Sequence, residues 1–104
     1  MVVIGWRTGT ANIKTGGGYG LRIKISDRTR YFCREWKSVK IEFDTGEIHE
    51  VNISRAFWGN CCELRSRFIG RWMIHRGLLP WNKSAPPHFR LRPIEGNVFK
   101  LYSI

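Results

Sequence analysis

Five runs of alternating apolar and polar residues predict β-strands along the chain. An alternation with a period of two places successive side chains on opposite faces of a strand, so each run predicts a strand with one buried face. The runs cover residues 21–26, 39–43, 47–53, 89–92 and 99–102. Turn-forming residues at 44–46 and at 95–97 separate two neighbouring pairs of runs, which predicts two β-hairpins.

The clearest helical pattern lies in residues 61–76. Five apolar side chains there share one helical face: Leu64, Phe68, Ile69, Trp72 and Met73. Asn60 is predicted to cap the start of this helix, and Glu63 stands where the acid of a capping box belongs. Gly77 and Pro80 follow the last turn and end the helix.

A shorter helix is predicted across residues 28–36, because Tyr31, Phe32 and Trp36 have a spacing that lets them lie together against a core. Together the elements predict a mainly β fold of the α+β class, an open antiparallel pseudobarrel with two short helices at its ends. A chain of 104 residues that is 42% hydrophobic can bury one core. We therefore expect a single domain over residues 1–104.

The sequence predicts a protein that is neither exported nor embedded in a membrane. No run approaches the roughly 18 apolar residues of a membrane span, and the apolar N-terminal run is too short for a signal peptide. Cys33, Cys61 and Cys62 form an odd set that cannot all pair, which favours the reducing cytoplasm. Neither the cysteines nor the three histidines have the spacing of zinc ligands, so no metal site and no cofactor are predicted.

The charge is strongly positive and unevenly distributed. Lysine and arginine outnumber the acids 18 to 8, which gives a formal net charge of +10. Residues 1–26 contain four basic side chains and no acid, and residues 54–104 contain nine basic side chains and two acids. Residues 27–53 between them contain five basic side chains and six acids. This distribution predicts a polyanionic partner that contacts the two flanks.

Two segments of the flanks, residues 7–19 and 54–67, combine cations with threonine, asparagine and serine. The first is rich in glycine and is predicted to be a mobile loop. Cations bind phosphates, and arginine and asparagine also hydrogen-bond the edges of bases, so we expect both segments to bind double-stranded DNA. The candidate residues are Arg7, Thr8, Thr10, Asn12, Lys14, Tyr19, Arg22, Lys24, Ser54, Arg55, Trp58, Asn60, Arg65 and Arg67. Arg28 and Arg30 are further candidates for phosphate contacts.

Aromatic residues in and near these segments support binding of a single strand as the first alternative. Unpaired bases stack on aromatic side chains without regard to sequence. Trp6, Tyr19, Trp58 and Trp81 are the candidates for such stacking. Trp36 and Trp72 are instead assigned to the core by their spacing.

A metal-dependent nuclease is the second alternative. Asp27, Glu35 and Lys37 have the residue types with which many nucleases hold a divalent cation and assist the attacking water. The gap between the two acids is short, however, and no predicted strand carries Asp27. We therefore favour the interpretation that Glu35 and Lys37 are solvated charges on either side of Trp36, and that the domain has no catalytic residues.

The order of the predicted elements resembles the plant B3-type DNA-binding pseudobarrel. The likeness covers residues 5–102: a first long strand, a short aromatic helix, a hairpin, a helix that ends near Leu78 and two last strands. The same fold occurs as the recognition or effector domain of certain bacterial type II restriction endonucleases. A compact chain without a catalytic centre resembles this bacterial version more. The plant domains usually have a Gly-Asp turn after the last helix, whereas this chain has Trp81-Asn-Lys-Ser84 there, which departs from the plant subgroup.

The resemblance implies a function and a site. In this family two arms enter the major groove, one before the first long strand and one before the main helix. By position these arms correspond to residues 7–19 and residues 54–67. The resemblance therefore implies sequence-specific recognition of duplex DNA by a prokaryotic intracellular domain, with a nuclease domain of the same or another chain as a further partner.

Overall fold

Seven strands form one sheet that curves into a nearly closed barrel in the computed structural model, which describes all of residues 1–104. The strands are β1 (Val2–Arg7), β2 (Tyr19–Arg22), β3 (Ser38–Phe43), β4 (Ile48–Asn52), β5 (Glu63–Arg65), β6 (His88–Glu95) and β7 (Val98–Ser103). Their order across the sheet is β4-β3-β7-β6-β1-β2-β5. Neighbouring strands are antiparallel except for β3 and β7, which are parallel. The predicted fold class is confirmed.

Three helical elements connect the strands. They are α1 (Ile25–Tyr31), a short 3-10 helix (Arg55–Trp58) and α2 (Arg67–His75). The edge strands β4 and β5 approach each other without forming a ladder, so the barrel stays open along this seam. None of the helices is both long enough and apolar enough to span a lipid bilayer.

Aromatic side chains fill the barrel and close its two ends. Phe32, which follows α1, stacks on Phe99 with ring centroids 4.8 Å apart and contacts Phe57 at 5.2 Å. At the other end Trp72 of α2 packs edge-on against Phe89 at 5.0 Å. Burying a phenylalanine fully contributes about 1.5–3 kcal/mol relative to leaving it exposed, and Phe57 and Phe99 at the first end are both fully buried.

Both predicted hairpins are confirmed. Val39, Ile41 and Phe43 of β3 are buried, as the period-two pattern requires, and Gly46 makes the turn to β4 with a φ of 92°. The second hairpin joins β6 to β7, and Gly96 lies at its turn. These strands pair with a neighbour in sequence, so their local pattern also fixes their pairing.

The predicted first strand is too long. Residues 21–26 contain only the end of β2, and α1 begins at Ile25 rather than at residue 28. The side chain of Ile25 is 59% exposed although the alternation predicted it to be buried. The helix also ends earlier than predicted, at Tyr31, and Trp36 lies half-buried in the following turn.

The start of the main helix was also predicted wrongly. Residues 63–65 form β5, and α2 begins only at Arg67. Asn60 is not the cap: the side-chain oxygen of Ser66 accepts a hydrogen bond from the backbone N–H of Phe68 at 3.1 Å. The predicted end is correct, because Gly77 has a φ of 68° after the last helical residue.

One further feature differs from the prediction. β1 was not predicted at all, yet it pairs with both β2 and β6 in the middle of the sheet. Among the cysteines, Cys62 is buried and Cys33 and Cys61 are exposed. The core draws on residues that are distant in sequence, and this explains why a short apolar N-terminal run became a central strand.

Candidate nucleic-acid interface

The ladder between β2 and β5 connects the two segments that the charge pattern selected. We call residues 7–19 arm 1 and residues 54–67 arm 2. Gly20 pairs with Arg65 and Arg22 pairs with Glu63 in this antiparallel ladder. Arm 1 leads into β2, and the loop of arm 2 leads into β5. Because the two strands run in opposite directions, arm 1 and the loop of arm 2 lie at opposite ends of one ladder.

The outward face of β1, β2 and β5 lies between arm 1 and the loop of arm 2, and we call it the inter-arm face. Trp6, Gly20 and Arg65 form one row across these strands. Gly20 has no side chain to separate its neighbours, so the Arg65 guanidinium reaches across and lies 4.5 Å from the centroid of the Trp6 ring. This cation–π contact favours a position of the arginine over the middle of the face.

A buried carboxylate holds two arginines of the inter-arm face. The side chain of Glu63 is only 4% exposed, and its oxygens lie 3.3 Å from Arg65 and 3.7 Å from Arg22. The two arginines are themselves more than half exposed. A buried charge is costly unless it is paired, so the two cations both stabilise Glu63 and are oriented by it. Glu63 therefore serves the arginines and not the capping box that the sequence predicted.

Arm 1 is a loop with an internal hydrogen-bond network. The backbone N–H of Thr8 donates to the Gly18 carbonyl at 2.8 Å, which closes the base of the loop. The side-chain oxygen of Asn12 accepts hydrogen bonds from the backbone N–H groups of Lys14 at 2.8 Å and Thr15 at 3.2 Å. Asn12 thus uses its acceptor oxygen to shape the tip, and only its amide N–H₂ group is left to donate to a ligand.

The tip of arm 1 rests on α2 through contact between two glycines. Gly16 has a φ of 82°, and a Cβ atom there would lie 2.6 Å from the backbone nitrogen of Arg71. A Cβ atom on Gly70 would in turn collide with the backbone of Gly16. Side chains at either position would keep the two backbones apart. The glycine-rich loop is therefore docked on the helix that follows arm 2.

Arg28, a buried arginine of α1, hydrogen-bonds the backbone of arm 2. The Arg28 guanidinium donates hydrogen bonds to the carbonyl oxygens of Phe57 at 2.8 Å and Gly59 at 2.9 Å. It also lies 5.4 Å from the centroid of Trp58, and Arg34 covers the same ring at 4.9 Å. Arg28 is 8% exposed. The prediction that it contacts phosphates is wrong, because its charge is directed into the base of arm 2.

The predicted binding residues divide into three groups by exposure. Most are exposed: Thr10, Asn12, Lys14, Arg22, Lys24, Ser54, Arg55, Asn60, Arg65 and Arg67. Arg7, Thr8 and Trp58 are half-buried at the roots of the arms. Tyr19 is 2% exposed, and its ring packs edge-on against Trp81 at 5.5 Å, so it supports the root of arm 1 from inside.

The candidate nuclease residues lie outside the three strands of the inter-arm face. Asp27 lies half-buried in the first turn of α1, and Glu35 and Lys37 are exposed in the segment between α1 and β3. No group of three or more His, Cys, Asp or Glu side chains is placed to share a metal ion.

Three contributors to the site were missed by the sequence: Glu63 as a clamp, Arg28 as a support and Gly70 as a docking point. Only Gly70 gave a signal, because a glycine in the middle of an amphipathic helix indicates a close packing contact. Chemically, the site offers exposed guanidinium groups, a lysine and hydroxyls over one buried acid, a set suited to a ligand with regularly spaced negative charges.

Comparison with known proteins finds no matching family model, curated protein or solved structure.

Proposed function

We propose that this protein binds double-stranded DNA through arm 1, the inter-arm face and arm 2, and that it reads a short sequence in the major groove. The observation that carries the proposal is the pair of exposed arginines, Arg22 and Arg65, held by buried Glu63 between two cationic loops. Arginines fixed in place are suited to bidentate contacts with guanine, whereas freely moving cations discriminate poorly between bases.

The dimensions support a groove as the binding partner. β2 has four residues, and at about 3.3 Å per residue a strand of that length spans roughly 13 Å. The major groove of B-form DNA is about 12 Å wide. Two arms at the ends of such a ladder can follow the two walls of one groove, with the inter-arm face directed at the base edges.

The residues divide into two roles under this proposal. Arg22 and Arg65 read bases, and Arg7, Lys14, Arg55 and Arg67 contact phosphates on either side. The remaining polar residues of the arms, Thr8, Thr10, Ser54 and Asn60, together with Lys24 after β2, position the domain on the backbone. Asn12 shapes the tip of arm 1, because its acceptor oxygen is already used within the loop.

We also propose a biological setting, which rests on the resemblance to B3-like domains. In that setting the domain is the recognition or effector part of a type II restriction system, and a nuclease domain of the same or another chain is its partner. Its three unpaired cysteines favour a reducing, intracellular compartment.

Selection from a pool of random duplexes, followed by fluorescence anisotropy at several salt concentrations, tests the proposal. We expect one short sequence to be enriched and log K to fall with log salt at a slope of about −0.9 for each phosphate contact. Arg65→Ala is expected to cost about 1–3 kcal/mol on the selected site and to relax the preference at one base pair. Lys14→Ala is expected to weaken all duplexes alike and to reduce the slope by about one.

Arg92→Ala is the matched control for Arg65→Ala. Arg92 is an exposed arginine on β6, in the row of Lys100, and outside the proposed surface. An equal loss with Arg92→Ala would show that total charge and not the inter-arm face determines binding. An unpaired oligonucleotide that outcompetes its own duplex would favour the single-strand alternative. Magnesium-dependent cleavage of a plasmid, lost in Glu35→Ala, would favour the nuclease.

A further inference from the structure

A cleft opens beside the root of arm 1, between β1 and the loop that joins α2 to β6. Its volume is about 480 Å³, within the roughly 300–1,000 Å³ of clefts that hold small ligands. Trp6, Arg7, Arg22, Trp81 and Lys83 supply its large side chains, and none of the residues that line it is acidic. The cleft therefore combines flat aromatic groups with positive charge.

Each of the two indoles of the cleft contacts a side chain that does not itself line the cleft. Trp81 is packed edge-on by the buried ring of Tyr19 at 5.5 Å. Trp6 is covered by the guanidinium of Arg65 at 4.5 Å. Side chains that are already fixed lose little conformational freedom when a planar ligand stacks on them.

The cations of the cleft are not all neutralised by the protein. Arg22 has Glu63 as an ion-pair partner, but Arg7 and Lys83 form no salt bridge. Lys83 is exposed at the rim, and Arg7 is half-buried at the end of β1. A ligand that brings its own negative charge next to a planar ring satisfies both features of the cleft, and a nucleotide has this composition.

We propose that this cleft binds a single nucleotide displaced from the duplex, with its base against Trp81 and Trp6 and its phosphate near Arg7 and Lys83. This inference rests on the proposed function, because the inter-arm face must first bring the duplex beside the cleft. Displacing a base from the stack costs energy, and the cost is lowest for a base that has no partner. The cleft should therefore favour a duplex that contains an unpaired nucleotide.

Three kinds of duplex with the selected sequence test the proposal in anisotropy titrations with the full chain. The first is fully paired, the second has one unpaired nucleotide placed in turn at each position, and the third has an abasic unpaired nucleotide at the same positions. At one position or a few, we expect the unpaired nucleotide to raise the affinity about tenfold over the paired duplex. The abasic form keeps the sugar and the phosphate but lacks the base, so we expect it to lose most of this gain.

Two variants of the cleft connect the gain to its residues. Trp81→Leu keeps apolar bulk but removes the flat ring, and Lys83→Ser removes an exposed cation that makes no ion pair. Both should reduce the gain from the unpaired base several-fold and leave binding of the paired duplex within about twofold. Tyr102→Leu is the control, since Tyr102 is a half-buried aromatic residue of β7 outside the cleft. If Trp81→Leu fails to fold, Lys83→Ser provides the same comparison alone.

Equal binding of the base-containing and abasic duplexes would overturn the proposal, and so would a full gain in the folded cleft variants. Salt-dependent binding of the paired duplex without any preference for the unpaired base would reject the cleft alone. Absence of binding to every duplex would reject the proposed function and this inference with it.

Discussion

Single side chains decide how the charge of this protein is used. Three arginines near the site occupy two different kinds of environment. Arg22 and Arg65 are exposed and paired to one carboxylate, whereas Arg28 is buried and donates to carbonyl oxygens. Only the first two can meet a ligand, and Glu63 keeps them at a defined position.

Replacing the Glu63 carboxylate tests whether it acts by orienting Arg22 and Arg65 or only through its negative charge. Glu63→Gln keeps the size of the side chain but removes the charge that holds two guanidinium groups. Specific binding is expected to weaken by about 1–3 kcal/mol, since the arginines lose their fixed positions. Binding to unrelated duplexes should be unchanged or tighter, because one negative charge is gone. Competition titrations with specific and unrelated duplexes measure this ratio.

Glu95→Gln is the control, because it makes the same charge change at an exposed residue at the end of β6. It should leave the ratio of specific to unrelated binding unchanged. An identical response of the two variants would mean that Glu63 acts only through net charge.

The buried arginine of α1 is expected to matter for stability. Arg28→Met preserves the length of the side chain but leaves the carbonyls of Phe57 and Gly59 without their donor. The free energy of unfolding should fall by about 1–3 kcal/mol, the usual cost of unsatisfied buried polar groups. Urea denaturation measures the loss, and Arg30→Met, at an exposed position of the same helix, should change stability by less than about 0.5 kcal/mol.

Each of the two arms contacts a helix that packs against the core. Gly16 of arm 1 packs against Gly70 of α2, and Arg28 of α1 donates a hydrogen bond to the Phe57 carbonyl of arm 2. Loops positioned by a rigid scaffold are the common location of binding residues. Each arm is supported by the helix that follows the other arm in sequence: α2 supports arm 1, and α1 supports arm 2.

The contact between α2 and arm 1 gives a prediction with an unusual sign. An alanine normally stabilises a helix interior by about 1 kcal/mol relative to glycine. Gly70→Ala should instead destabilise the protein by about 1–3 kcal/mol, because the new methyl group collides with the backbone of Gly16. Denaturant unfolding measures the change, and duplex affinity should fall as arm 1 is displaced.

Gly9→Ala is the matched control within arm 1. A Cβ atom at Gly9 would meet nothing within 4 Å, and its backbone is not in the left-handed region. The variant should therefore keep its stability. A Gly70→Ala protein more stable than the parent would contradict the docking of arm 1 on α2.

At the scale of the whole molecule, the net charge of +10 on 104 residues makes the native protein sensitive to anions. Like charges held close together repel one another and lower the stability of the compact state. A ligand that binds only the folded protein raises its stability by mass action. The specific duplex should therefore act as a stabiliser of the fold.

Thermal unfolding with and without duplex measures this coupling. At a duplex concentration of 100 times Kd, we expect a gain of about 2.7 kcal/mol, which for a domain of this size raises Tm by about 10 °C or more. The same strand in unpaired form should give a smaller shift at equal concentration. A larger shift with the unpaired strand would contradict recognition of the duplex.

The sequence by itself determined the hairpins, the end of the main helix and the placement of charge. The strands β3 and β4, and likewise β6 and β7, pair with a neighbour across a short turn, so alternation and turn residues are sufficient to predict them. The end of α2 is set by Gly77 within one helical turn. The excess of cations in residues 1–26 and 54–104 follows from the sequence alone, without knowledge of the fold.

Only the tertiary structure decided the remaining features. β1 became a central strand because β2 and β6 flank it, and residues 63–65 became a strand because β2 offered hydrogen bonds that outweighed the helical pattern. The contact of Gly16 with Gly70 and the Glu63 clamp likewise join separate parts of the chain. Local sequence encodes preferences over a few residues, whereas these contacts form only after distant segments have been packed together.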